Sequence, residues 1–184
     1  GYSGAKPGAG VTLAVNVTGV GASKLPGDAK AVVLNVTATE PSGAGYVTVW
    51  PCGEPRPNAS NLNVSVGDTI ANLVVVKVGA SGTVCFFTQA GAHLLADLTG
   101  YFPAGAAINA VQPERLLDTR NGPKPGAGDT VELKVTGVGA AQVADDAGAV
   151  VLNVTGTEAD GDGFVTVWPC GQPRPTASNL NLTT

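Results

Sequence analysis

Three cysteines carry the most definite chemistry in this sequence. Cys52 follows a strand-like segment and Cys85 lies inside another, whereas Cys170 repeats Cys52, so its partner would fall at 85 + 118 = 203. We predict a Cys52–Cys85 disulfide, which would close a loop of about 33 residues and stabilise the fold by about 3 kcal/mol or more. The alternatives are two buried free thiols or a metal site. The metal site is least favoured because no CxxC pair is present and His93 is the only histidine.

Aromatic residues are the candidates for ligand binding. In residues 46–50, alternation places the aromatic side chains on one face, with Thr48, and places Val47 and Val49 on the other. If the valines face the core, the aromatic rings face outward and could stack against sugar rings. We favour the alternative, in which Trp50 packs under the loop of residues 55–57 or against the disulfide. The candidate binding residues in the two halves of the chain are Tyr46, Trp50, Phe164 and Trp168.

The remaining polar residues offer little to a catalytic mechanism. His93 alternates with leucines, which indicates a half-buried strand residue rather than a general base. Asp118 and Arg120 lie two residues apart, on the same side of a strand, and we interpret them as a structural ion pair rather than as part of a glycosidase site. Residues 160–163 suggest calcium, but their counterpart, residues 42–45, has no carboxylate. We therefore expect no enzyme, no metal and no cofactor.

Composition narrows the class of protein further. The net charge is −4, the pI is near 4.8 and the basic residues are scattered, which argues against nucleic-acid binding. No apolar run approaches the roughly 18 residues of a membrane span, so we expect no membrane insertion. Apolar residues make up 43% of the chain and aromatic residues only 5%, so valine, leucine and alanine must fill the core.

An internal repeat determines the expected domain organisation. The sequence AVVLNVT begins at Ala31 and again at Ala149, and 149 − 31 = 118; over the next 34 positions only 8 differ. A period of this length is typical of a domain rather than of a solenoid repeat. We predict a first module at residues 1–103, a linker at 104–109 and a second, truncated module at 110–184, together forming part of a longer array.

The local pattern predicts strands separated by Gly and Pro turns, without a convincing helix. The predicted fold is all-β, an antiparallel β-sandwich module in tandem, with a small β-barrel as the alternative. The predicted strands are residues 11–17, 31–38, 46–50, 60–66, 69–78, 83–88, 93–102 and 110–119.

Several motifs resemble a repeat module of large secreted and cell-surface actinobacterial proteins. They are the sequence RLLDTR from Arg115, VLNVT from Val151, GFVTV from Gly163, SNLN from Ser178 and DLTGYF from Asp97. The resemblance covers almost the whole chain, but Gly1 and Tyr2 replace the Thr-Arg of the first motif. It implies a secreted or cell-surface, non-catalytic module that acts as a structural or adhesive spacer or display domain. A carbohydrate-binding module is the alternative, with cell-wall or extracellular polysaccharide as its expected partner.

The second copy has no counterparts of residues 69–102, and the first copy has no counterpart of residues 110–119. A partial sandwich exposes apolar faces and unpaired strand edges. We therefore expect residues 110–119 to complete the first copy or a neighbouring chain by strand addition. We also expect the partial second copy to pair with another molecule.

Overall fold

A computed structural model of the chain describes residues 4–21 and 24–183. The predicted departure from the motif at Gly1 and Tyr2 lies outside this part. Within it the regular structure consists of β-strands and two short 3-10 turns, without an α-helix. The residues group into two units: one extends to Asp118 and includes Val135–Asp145, and the other comprises Thr119–Lys134 together with the residues from Asp146 onward. The predicted linker, residues 104–109, lies inside the first unit.

The first unit is a β-sandwich of two antiparallel sheets. One sheet has the strand order β1-β6-β3-β4 and the other has the order β5-β2-β7. Both are open sheets in the described residues, so the sandwich prediction is confirmed and the closed barrel is not formed. The strands are β1 (Val11–Asn16), β2 (Ala31–Thr39), β3 (Gly45–Pro51), β4 (Leu62–Val64), β5 (Thr69–Lys77), β6 (Thr83–Thr88) and β7 (His93–Phe102).

The core lies between the two sheets and is built from small aliphatic side chains. Alternate residues of β2, such as Leu34 and Val36, point inward from the three-stranded sheet. Val47 and Val49 of β3 and Val84 of β6 meet them from the four-stranded sheet, and all are buried. Because each buried aliphatic side chain contributes about 1.5–3 kcal/mol, this alternation is sufficient to specify which face of each strand is inside.

The connection from β5 to β6 depends on a close approach of two backbone segments. Gly79 lies against the chain leaving β3, where a Cβ atom would be 2.4 Å from the backbone N and O of Cys52. Only glycine fits at this distance. The short 3-10 turn Ala80–Gly82 then leads into β6, and this arrangement brings Cys85 beside Cys52.

The second unit contains much less sheet than its sequence suggests. Its strands are β8 (Gly163–Val165) and β9 (Leu180–Leu182), which pair antiparallel. They are the counterparts of β3 and β4, since 163 − 45 = 118 and 180 − 62 = 118. Residues 149–156, the counterparts of most of β2, form no strand and are exposed. β2, in contrast, is a central strand that pairs with β5 on one side and with β7 on the other.

The predicted strand at residues 110–119 is wrong, because no strand forms there. The Glu114 carboxylate accepts hydrogen bonds from the backbone N–H groups of Ala140 and Ala141, at 2.8 Å each. Arg115 Nη1 donates to Asp118 Oδ2 at 3.1 Å, three positions along. In an extended strand, side chains three apart point to opposite faces, so this contact requires a bent backbone. The only regular structure near this segment is the 3-10 turn Thr119–Asn121.

Candidate functional site

The predicted disulfide between Cys52 and Cys85 is confirmed, with a Cα–Cα distance of 5.1 Å. Strand pairing brings the two cysteines together: Trp50 of β3 lies opposite Cys85 of β6, and Cys52 follows two residues later. Both cysteines are buried with Trp50 in a small cluster separate from the main core, and Phe87 packs against this cluster. The four-stranded sheet therefore has apolar contacts on both of its faces.

Trp50 is packed rather than displayed. Only 5% of the residue is exposed, and its indole Nε1 donates a 3.0 Å hydrogen bond to the carbonyl of Glu54. The ring lies against the disulfide, under the loop that follows β3. This is the favoured packing arrangement and not the outward-facing one. A buried indole whose N–H is already bonded cannot serve as a stacking surface without opening that loop.

The loop that covers Trp50, residues 53–61, is held to β3 by side-chain hydrogen bonds. Thr48 Oγ1 donates to the carbonyl of Ala59 at 2.6 Å. The backbone N–H of Val49 donates to Asn61 Oδ1 at 2.7 Å. The side chain replaces a strand partner here, because β4 pairs with β3 only as far as Val47. We call these bonds, with that of Trp50, the loop clasp. The clasp explains why Thr48 is fully buried although it points away from the main core.

One patch on the outer face of the four-stranded sheet combines a ring–ring contact with a cation–π contact. Among the described residues it is the only such patch, and it consists of Tyr46, Phe87 and Arg56. The Tyr46 and Phe87 rings lie 5.8 Å apart and are tilted by 45°. The Arg56 guanidinium carbon is 3.7 Å from the centroid of Phe87, in cation–π contact. We call these three residues the aromatic patch. Phe87 and Arg56 were missed in the sequence, although Phe87 follows Cys85 by two residues and so shares its face.

A second polar link ties the clasped loop to the other sheet. Glu54, whose carbonyl accepts the Trp50 bond, also binds Lys77 of β5 through its side chain, at 2.8 Å. Both side chains are partly exposed, so the pair contributes at most about 1 kcal/mol. Its effect is geometric, because it fixes one end of the loop relative to β5.

The second unit repeats the clasp but not its burial. Thr166 Oγ1 donates to Ala177 at 2.6 Å, and Trp168 Nε1 donates to Gln172 at 3.1 Å. Trp168 is half-buried and Phe164 is 61% exposed. Cys170 is an exposed free thiol. The local hydrogen bonds therefore form without the second sheet, whereas burial of the aromatic residues does not.

The other residues considered in the sequence have local contacts. Asp118 binds Arg115, and Arg120 lies in the 3-10 turn, so an Asp118–Arg120 pair stays a prediction. His93 is exposed rather than half-buried, with Nε2 3.8 Å from Glu40. Asp160, in the run that suggested calcium, accepts a hydrogen bond from the Lys124 ammonium group. Across residues 4–21 and 24–183, no three potential metal-ligating side chains come together.

One carboxyl has a shifted protonation equilibrium. The backbone N–H of Ala140, and then that of Ala141, hold the pKa of Glu114 below its ordinary value, because both bond to the ionised form. Gly139 sits beside this carboxylate, where a Cβ atom would be 2.5 Å from Oε1. The contact anchors the loop that contains Ala140 and Ala141, and we interpret it as structural.

Comparison with known proteins identifies no relative. No protein-family model matches the chain, and neither does a curated protein or a solved structure. None of the described helices is long and apolar enough to cross a membrane. The resemblance to the actinobacterial repeat module therefore stays a prediction from the motifs.

Proposed function

We propose that the protein is a non-catalytic extracellular module that acts as a structural spacer or display domain. The observation that carries this proposal is the packing of Trp50, Cys52 and Cys85 into a second small core. The residue types best suited to chemistry or stacking are used there to brace the fold. A disulfide also fits an oxidising compartment such as the cell exterior, where such bonds persist.

Bracing of this kind suits a domain that must keep its shape under load. The disulfide links the residue that follows β3 to the neighbouring strand β6, and the Glu54–Lys77 pair links the clasped loop to the other sheet. Recurrence of the clasp in both units supports a modular role, since the same local structure forms twice in the chain. Adhesion through other surfaces is compatible with this role.

Single-molecule stretching tests the proposed role as a structural spacer. The disulfide closes a segment with a sequence separation of 33, which cannot extend while the bond is intact. Reduction should lengthen the fully extended chain by about 110 Å, at 3.3–3.6 Å per residue.

A binding assay tests the same proposal, in which the chain is mixed with insoluble cell-wall material, chitin and cellulose. We expect it to remain in the supernatant and to release no reducing sugar; saturable binding or sugar release would contradict the proposal.

Carbohydrate binding is the second candidate, supported by the aromatic patch and by Phe164. Phe164 presents an exposed ring, and Tyr46 and Phe87 present a tilted pair at the surface of the first unit. Arg56 already covers one face of Phe87, so a sugar would stack mainly on Tyr46. In the same binding assay, Tyr46→Ala and Phe164→Ala should abolish any binding observed. Leu73→Ala is the control, since Leu73 is also 61% exposed and lies on another sheet.

A further inference from the structure

The first unit contains an open cavity of about 630 Å³ at one end of its sandwich. The cavity lies among the residues that lead into β2, the turn that links β5 to β6, and residues 108–110. Small-molecule sites in proteins usually occupy about 300–1,000 Å³, so a small ligand has room here. None of the residues of the aromatic patch or of the loop clasp lines this cavity, which is therefore separate from both.

Two unpaired charges of opposite sign line the cavity. Asp28 and Lys30 lie two positions apart in the segment before β2, and both are exposed. Among the described residues, neither side chain forms a hydrogen bond or an ion pair, with the other or with a third group. Lys77, also in the wall, is already bound to Glu54 at 2.8 Å. The cavity thus keeps one free carboxylate and one free ammonium group.

The rest of the wall supplies neutral polar groups and apolar surface. Asn109 has a carboxamide and Ser81 a hydroxyl, and both groups can donate as well as accept hydrogen bonds. Val78 and Ile108 are apolar. A ligand of this cavity can therefore carry peptide-like groups and a small hydrocarbon part in addition to its charges.

The turn that forms part of the wall is fixed by backbone hydrogen bonds. The N–H of Gly79 donates to the carbonyl of Thr83, and the N–H of Val17 donates to the carbonyl of Gly82, at 2.9 Å each. Between them Ser81 has a φ of 57°, in the left-handed region that is unfavourable for a serine. Backbone strain of this kind is frequent at ligand-binding sites. A wall that is fixed before binding also loses little entropy when a ligand enters.

The two charges select the class of ligand. An anion bound to Lys30 would leave the Asp28 carboxylate beside it without a partner, and a cation bound to Asp28 would do the same to Lys30. An uncharged ligand would displace water from both groups without neutralising either. A zwitterion satisfies both through charge-assisted hydrogen bonds, which are the strong ones in proteins.

We propose that this cavity binds a small zwitterion of the amino-acid or short-peptide class. The ammonium group of the ligand donates to the Asp28 carboxylate, and the Lys30 ammonium group donates to the carboxylate of the ligand. Asn109 and Ser81 bond to its peptide group, and Val78 contacts its apolar side chain. This binding goes beyond the proposed spacer role, because a module that only displays another domain requires no ligand.

An NMR titration of the full chain with the dipeptide alanylleucine tests the proposal. The dipeptide should shift the backbone amide signals of Lys30, Ser81 and Asn109 in a saturable manner, because these residues line the cavity. Free leucine, titrated in parallel, distinguishes an amino-acid site from a peptide site. Acetate, ethylamine and the neutral sugar maltotriose should cause no saturable shift. No saturable shift with leucine or with alanylleucine, or an equal response to any of the other three compounds, would overturn the proposal.

Variants that remove one charge at a time show whether both charges are used. Asp28→Asn and Lys30→Gln should each raise the dissociation constant of alanylleucine about tenfold or more. Asp146→Asn and Lys134→Gln are the matched controls, since these charges are exposed and do not line the cavity, and they should leave it unchanged. Thermal melting checks that each variant is folded. Control effects as large as those of the cavity variants would overturn the proposal.

Blocked peptides give a sharper result. Acetylation of the amino group of alanylleucine removes the charge that Asp28 binds. It should weaken binding to the parent protein about tenfold and have little further effect on Asp28→Asn, a coupling that a variant with a merely disturbed fold would not show. Amidation of the carboxylate should be coupled to Lys30→Gln in the same way. If both blocked peptides bind the parent protein as tightly as alanylleucine does, the proposal is wrong, whether or not the variants fold.

Discussion

The indole of Trp50 is bonded to the carbonyl of Glu54 at 3.0 Å, four residues further along the chain. The bond spans the disulfide-bonded Cys52, so the loop after β3 begins by folding back over its own strand. A buried N–H without a partner is unfavourable by about 1–3 kcal/mol, and this bond removes that penalty. Trp50, one of the four candidate binding residues, therefore stabilises the loop instead, as the favoured packing arrangement predicted.

Fluorescence quenching distinguishes the two tryptophans. In Trp168→Phe the remaining Trp50 should emit at short wavelength and resist quenching by acrylamide, because it is buried. In Trp50→Phe the remaining Trp168 should be quenched more strongly, because it is half-buried. Equal quenching of the two variants would show that the first loop is not closed over Trp50.

Equivalent valines in the two copies should respond differently to truncation. Val49 is fully buried and Val167, its counterpart at 167 − 118 = 49, is 43% exposed. Val49→Ala should lower the free energy of unfolding by about 1–3 kcal/mol, as other truncations inside packed cores do. Val167→Ala is the matched control and should change it by less than about 0.5 kcal/mol. Chemical denaturation measures both. Equal effects would mean that the second copy is packed like the first.

Thr48 should contribute more to stability than is usual for a strand side chain that points away from the main core. Thr48→Val keeps the side-chain volume but removes the hydroxyl that donates to Ala59. It should lower the free energy of unfolding by about 1–3 kcal/mol, because the carbonyl of Ala59 loses its bond. Thr166→Val removes the same bond in the exposed copy and should have a smaller effect. Urea titration of the pair compares them directly, and a neutral Thr48→Val would show that water replaces the hydroxyl.

The disulfide should contribute substantially to stability. For a loop of about 33 residues, the chain-entropy model gives about 3–4 kcal/mol. The double variant Cys52→Ser/Cys85→Ser should show that loss in urea unfolding, and mass spectrometry of the unreduced protein should show one linked peptide pair. Cys170→Ser serves as the control because this thiol is exposed and unpaired. Free thiols at both positions in the native protein would contradict the assignment.

The contact of Glu114 with the loop of Ala140 and Ala141 should depend on pH. The pKa of Glu114 is lowered in the folded chain, so the contact is present above the unfolded pKa and is lost as the pH falls through the folded value. Hydrogen exchange at the two alanine amides should accelerate in acid relative to that of Gly137, which is bonded to the carbonyl of Val143. Glu114→Gln should abolish this pH dependence. An unchanged profile in that variant would rule out Glu114 as the titrating group.

Local pattern was sufficient to predict most of the strands of the first unit. β6 and β7 have the predicted bounds, and β1, β2, β3 and β5 differ by one or two residues at an end. β4 is shorter than predicted because Asn61 uses its side chain in the clasp and Asp68 turns the chain by bonding the N–H of Ser65. The disulfide was predictable as well, since the repeat showed which cysteine was left over.

Tertiary structure decided in detail how the outer face is covered. Packing of Trp50 under the loop after β3 was the favoured sequence prediction, but burial of Thr48 by its bond to Ala59 was not predicted. The aromatic patch depends on the pairing of β3 with β6, which brings together residues about 40 positions apart.

The two copies of the repeat show the limit of local sequence most directly. Residues 31–37 and 149–155 are identical, yet the first segment lies in a central strand and the second is exposed and forms no strand. The sequence by itself determined strand propensity, the face that would be buried and the cysteine pair. Tertiary structure decided whether a strand formed, because an extended backbone is stable only when its N–H and C=O groups find partners in neighbouring strands. β2 has these neighbours in β5 and β7, whereas residues 149–155 belong to no sheet of the described structure.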